Sequence, residues 1–132
     1  MKKRHIDRST LTIICARRMP LGIEVAATFQ APKTSGDLGH YYAQVTINPS
    51  NRSIVSQRMR LRNPKNADQV FQNPRSKDTQ RDLALDLVDV FLKTPAWSEL
   101  LGRVVDPDYR VDASGQQYTV TGNIDARAAD TR

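Results

Sequence analysis

Four stretches in the first half of the chain alternate apolar and polar residues with a period of two, and this restricts the fold more than any other feature. Successive side chains of a strand point to opposite faces, so such a segment offers one apolar side to a core and one polar side to water. In residues 9–16, Leu11, Ile13 and Cys15 fall on one side and Thr10, Thr12 and Ile14 on the other. Residues 22–30 place Ile23, Val25, Ala27 and Phe29 opposite Glu24, Ala26, Thr28 and Gln30. Residues 40–48 place Tyr41, Ala43, Val45 and Ile47 opposite His40, Tyr42, Gln44 and Thr46. Residues 53–62 place Val55, Met59 and Leu61 opposite Arg58, Arg60 and Arg62. The connections are rich in turn formers: Arg18-Met19-Pro20-Leu21-Gly22, the polar stretch 31–39 and Asn48-Pro49-Ser50-Asn51. Short loops between half-apolar strands predict a four-stranded antiparallel meander with one apolar face.

The second half supplies the cover. Residues 63–75 form a connector with two Asn-Pro steps, with a helical turn expected over 67–71. A helix follows, capped by Ser76 or Asp78 and running to about Lys93. Its apolar stripe is Leu83, Leu87, Val90 and Phe91, widened by Leu85, Val88 and Leu92. Thr94-Pro95 ends it and starts a short helix over 96–101, closed by Gly102, because proline suits a first helical position and disfavours a helical residue before it. Beyond it, 109–111 and 117–124 predict a closing hairpin around Ala113-Ser114-Gly115. The expected fold is α+β: a four-stranded antiparallel meander packed on a C-terminal helix plus a short helix, with a terminal β-hairpin. Residues 1–8 are expected to be a flexible basic N-terminus, 9–124 a single α+β domain and 125–132 a flexible tail.

A chain of 132 residues buries enough surface for one domain without staples. Its one cysteine, Cys15, cannot form an internal disulfide and falls on the expected core face as a small hydrophobe. No stretch reaches the roughly 20 apolar residues of a membrane span. The run from Leu11 to Ala16 is too short for a signal-peptide core and ends in Arg17-Arg18. These features lead to a cytoplasmic expectation, with no membrane partner and no cofactor.

The net charge is +6 but unevenly distributed. Residues 1–75 hold thirteen Lys/Arg and four Asp/Glu; residues 76–132 hold seven and ten. Fourteen of the twenty cations are arginine, whose planar fork matches phosphate and carboxylate. The densest basic group is Arg58, Arg60 and Arg62 on one strand face, which a tight hairpin would set beside Tyr42, Gln44 and Thr46. Side chains two apart on a strand recur at about 7 Å, near the phosphate repeat of an extended single strand. In this arrangement Tyr42 offers a stacking surface and the arginines a phosphate rail. The same arginines also suit an edge strand that must repel other edges. On the helix, Asp78, Asp82, Asp86 and Asp89 share one face, which suits a metal site, a docking surface for a basic partner or, more simply, an ordinary solvated side.

Catalytic and metal signals are weak. The histidines, His5 and His40, lack metal-ligand spacing. Asp106-Pro107-Asp108 resembles half of a nuclease carboxylate motif but lacks the Glu-x-Lys partner. The set His40, Tyr41, Tyr42, Arg58 and Arg60 would suit a small metal-independent ribonuclease. Trp97, with Leu100 and Leu101, fits core packing of the short helix better than a docking patch. The leading expectation is therefore a small basic nucleic-acid-binding protein acting on single strands through Tyr42, Gln44, Arg58, Arg60 and Arg62. The alternative is a protein-interaction module, inhibitor or adaptor, from a bacterium or mobile element, using Asp78, Asp82, Asp86 and Asp89. Open sheet edges make a homodimer a further expectation.

Overall fold

The computed structural model describes residues 5–32, 38–62 and 77–118, the side chains of Arg62 and Lys77 excepted. The helical turn expected over 67–71, the cap at Ser76, the second arm of the terminal hairpin beyond Tyr118 and the tail 125–132 lie outside the described residues.

The chain forms β1 (Asp7–Met19), β2 (Gly22–Pro32), β3 (Leu38–Ile47), β4 (Ile54–Arg62), α1 (Lys77–Phe91), α2 (Pro95–Leu101) and β5 (Asp106–Val111). The first four strands make the expected antiparallel meander. β5 adds a fifth strand beside β1, giving the order β4-β3-β2-β1-β5. That pairing joins residues some ninety positions apart and leaves no local trace in the sequence. The hairpin after β5 is present as far as described: Val111 bridges Gln117, and the Tyr118 N–H donates to the Arg110 carbonyl at 2.7 Å.

One sheet face is the core. Ile23, Val25, Ala27, Phe29, Tyr41, Ala43, Val45, Ile47, Met59 and Val111 are buried there against Leu83, Ala84, Leu87, Phe91, Trp97 and Leu100 of the helices. α1 lies over β3 and β4, and α2 over β1 and β2. Trp97 is buried and meets Phe91 edge-on with centroids 6.1 Å apart, so it belongs to the core. Leu85, placed in the apolar stripe by its chemistry, is 48% exposed. α2 starts as its sequence predicts: Thr94 is extended and Pro95 opens the helix. The Thr94 hydroxyl, however, turns back to the Phe91 carbonyl at 2.7 Å and does not cap the following amides.

β1 departs most from its pattern. It begins at Asp7, within the segment expected to be a flexible terminus, and Ile6 is buried with the core. Its register with β2 shifts between Asp7 and Thr12 and again between Ile13 and Cys15. A bulge adds one residue and inverts the alternation beyond it. Ala16 thereby faces the core opposite Val25, and Cys15 pairs with Ala26 on the other side of the sheet. Cys15 is therefore a buried residue of the outer face, not of the expected core face. A similar shift at the start of β4 sets Ile54 opposite Ile47 and leaves Val55 43% exposed.

Gly22 closes the β1–β2 turn at φ 150°, where a Cβ would stand 2.4 Å from the Ile47 carbonyl oxygen. Only glycine allows β3 to approach the turn this closely.

Candidate nucleic-acid interface

The sheet face turned away from the helices is built from four cross-strand rows. Arg58 stands opposite Gln44, followed by Ala26 and Cys15. Arg60 stands opposite Tyr42, followed by Thr28 and Thr12. The Arg62 backbone pairs with His40, followed by Gln30 and Asp7. At the other end the row reads Ser56, Thr46, Glu24, Arg17 and Arg110. The hairpin register thus brings Tyr42, Gln44 and Thr46 beside β4, as the sequence predicts, and sets Arg58 and Arg60 directly against two of them.

Exposure changes the role open to Tyr42. Only 7% of it is accessible, and it packs with Ala26 and the partly buried Ile14. The stacking surface expected at Tyr42 is therefore mostly covered. Gln44 and Arg60 are half-buried and Arg58 is exposed. Tyr41, needed for the ribonuclease set, is buried on the opposite side of the sheet and stacked on Phe29 at 5.5 Å between centroids, so it does not converge with His40, Tyr42, Arg58 and Arg60.

Partners distinguish the arginines. Arg17 Nε donates to Glu24 Oε1 at 3.0 Å across the β1–β2 pair. Arg18, on the helix side, donates to the Leu100 and Leu101 carbonyls at 3.0 Å each and so caps the negative end of α2. Arg81 pairs with Asp78 and Arg103 with Glu99. Arg103 also lies 4.0 Å from the Tyr109 ring centroid, and its guanidinium pKa is raised first by its hydrogen bond to Glu99. Arg58 and Arg60 have neither an ion pair nor a side-chain hydrogen bond among the described residues, and no carboxylate faces them across the strand. Arg52, at the tip of the same hairpin, is exposed and likewise unpaired among the described residues. Its backbone sits in the left-handed region at φ 62°, where a residue other than glycine is strained.

Sequence reading missed Arg17, Glu24 and Arg110, which continue the polar face to the far edge. With Cys15 and Gln44 they line a shallow depression. The β1 bulge, invisible to an alternation count, is what turns Arg17 to this side.

The acidic helix face is partly committed within the fold. Asp86 is 9% exposed at its side chain. Its Oδ2 accepts the Ile6 N–H at 2.9 Å and its Oδ1 the Arg8 guanidinium at 2.8 Å. Arg8 also reaches Asp89 at 3.4 Å, and its pKa is raised, first through the hydrogen bond to Asp86. Asp89 is shared with Lys93 at 3.6 Å. Asp86 is thus engaged within the fold at the start of β1, while Asp78 is exposed and Asp82 half-buried. Among the described residues no group of three His, Cys, Asp or Glu is placed to hold a metal, and no helix is long and apolar enough to cross a membrane.

Compared with protein families, curated proteins and solved structures, the chain matches none.

Proposed function

We propose that this protein binds single-stranded nucleic acid in the cytoplasm through the β3–β4 hairpin, with Arg58, Arg60 and Arg62 as phosphate contacts, Arg52 extending them at the tip, and Gln44 as a neighbouring hydrogen-bonding group. The observation that carries the reading is that, among the described residues, the arginine side chains without an ion pair or hydrogen bond all lie on this hairpin. Arg58 and Arg60 are two apart on one face, so their side chains recur at about 7 Å, a step suited to successive phosphates of an extended strand. Their cross-strand neighbours are Gln44 and Tyr42, which leave the guanidinium charge uncompensated. With Tyr42 largely covered, binding rests on charge and hydrogen bonding more than on stacking, and so tolerates many sequences.

The test is a fluorescence-anisotropy titration of labelled dT20 and of a matching RNA at several salt concentrations. Three phosphate contacts on a single strand give a slope of log K against log[salt] of about −2. The expected result is micromolar or tighter binding at 50 mM NaCl with at least that slope, and a much shallower slope in the Arg58→Ala/Arg60→Ala/Arg62→Ala variant. No binding of either oligonucleotide at 50 mM NaCl refutes the reading.

A further inference from the structure

β4 ends the sheet, and among the described residues no strand pairs with its outer side. From Ser56 to Arg62 it pairs with β3 in seven consecutive positions without a shift. That stretch contains no proline, glycine or lysine. Regular edges of this kind invite another strand, and proteins blunt them with bulges, proline, inward charges or cover. The other edge, β5, shows such devices: Pro107, a register shift against β1, and the Val111–Gln117 bridge beyond it. On β4 the one register shift lies at its start, between Ile54 and Ser56, so along Ser56–Arg62 the arginines are what is left among the described residues to do this.

The pairing that the arginines oppose is with β4 of a second copy. Full antiparallel overlap of Ser56–Arg62 with itself centres on Met59. It sets Arg58 opposite Arg60 of the other copy twice, Gln57 opposite Leu61, and Met59 opposite Met59. Like charges directly opposite are destabilising, while the apolar side of the same pairing gains cover for the half-buried Leu61. A polyanion across the outer face changes the sign of the charge contribution, because four guanidinium groups in two adjacent strands, about 5 Å apart across and 7 Å along, then share its phosphates.

We infer that β4 is a charge-gated docking edge: the free protein is kept from pairing through β4 by Arg58 and Arg60, and a bound single strand licenses antiparallel β4–β4 pairing of two copies. This rests on the nucleic-acid reading for its trigger, but not for the gate itself.

The experiment combines sedimentation velocity with spin labels at Ser56→Cys in a Cys15→Ser background. Centring on Met59 separates the two labelled backbones by about 20 Å, six residues of strand rise. The unliganded protein should sediment as a monomer. With dT20 it should form a dimer carrying an interlabel distance consistent with that spacing. The Arg58→Gln/Arg60→Gln variant should dimerise without nucleic acid, at least tenfold more tightly than the unmutated chain. If anisotropy shows dT20 binding but the labels give no such distance, the licensing step is overturned and the nucleic-acid reading stands. If dT20 does not bind, that reading falls, and the neutralised variant decides the gate alone: a monomer at 100 μM overturns it, and a dimer with the expected distance supports it.

Discussion

Replacing Gly22 with alanine tests whether the close approach of the β1–β2 turn to β3 sets the sheet's geometry. Two costs can be worked out. The backbone at φ 150° is strained for any residue carrying a Cβ, which costs about 1–3 kcal/mol. The new methyl would lie 2.4 Å from the Ile47 carbonyl oxygen and 3.0 Å from its carbon. Both are main-chain atoms of a strand paired on both sides, so no side-chain rotation relieves the contact. Forcing the strand aside resembles overpacking a core, about 1–3 kcal/mol more. A total near 4 kcal/mol lowers Tm by about 10–20 °C in a chain of this size. Thermal unfolding followed by far-UV circular dichroism measures it. Gly102→Ala is the control, because Gly102 has φ −84° and its Cβ would meet nothing closer than 3.9 Å. Loss of chain freedom in the unfolded state should stabilise that variant by about 0.4–1 kcal/mol. A Gly22→Ala melting point within about 5 °C of the parent, or a Gly102→Ala loss of similar size to that of Gly22→Ala, refutes the argument from local geometry.

Asp86→Ala removes the acceptor of the Ile6 N–H and should cost about 1–3 kcal/mol in denaturant unfolding, with faster exchange of the Ile6 amide; an unchanged midpoint means that the β1 start is held by packing alone. The Asp112 carboxyl is held below its ordinary range, first by the Ser114 hydroxyl and then by the Gln116 and Ser114 amides, against an opposing effect of burial. A depressed folded pKa adds stability above the unfolded pKa that is lost as pH falls through the folded one, so the melting-point advantage of the parent over Asp112→Asn should be full at about pH 6 and shrink steadily as the pH is lowered below the ordinary carboxylate range. Arg52→Gly should separate stability from binding: relief of the left-handed backbone leaves the melting point equal or higher, whereas loss of a tip cation weakens dT20 binding at 50 mM salt and makes the fall in affinity from 50 to 200 mM salt about twofold to threefold smaller than the parent's. A lower melting point with unchanged affinity would invert that assignment.

Much of the sheet was legible because its middle strands keep strict alternation. β2 and β3 pair without a shift from Ile23 opposite Ile47 to Pro32 opposite Leu38, so a count of every second residue finds their core face. The tight turn at Asn48 then fixes Arg58 against Gln44 and Arg60 against Tyr42, which made the outer-face cluster readable in advance. The failures share a cause. One inserted residue in β1 reversed Cys15 and Arg17, and one at the start of β4 exchanged Ile54 for Val55, because a period-two pattern carries no mark of a bulge. The covering of Tyr42 and the capture of Asp86 by residues eighty positions away are tertiary facts, which local spacing cannot encode.

The charge split between the two halves of the chain also takes on a different meaning after folding. It does not persist as two opposed faces, because cations of the basic half are consumed by specific partners: Arg8 crosses to Asp86 and Asp89, Arg17 pairs with Glu24, and Arg18 caps α2. On the acidic half, Arg81, Lys93 and Arg103 are matched within their own helices or just beyond them. Among the described residues, the arginines whose side chains have no counter-charge and no hydrogen bond are Arg52, Arg58 and Arg60, all on one hairpin. A strand that needed charge only to repel other edges could use lysine, which is more strongly hydrated and is the commoner edge blocker. Alternating arginines instead place planar donor forks at a fixed step on a rigid strand, where their positions are set by the β3 ladder and not by a loop. On the proposed reading, edge protection and anion recognition become one property read in two states: the same uncompensated guanidinium groups that would oppose a second β4 when the face is bare would favour it once phosphate lies across them.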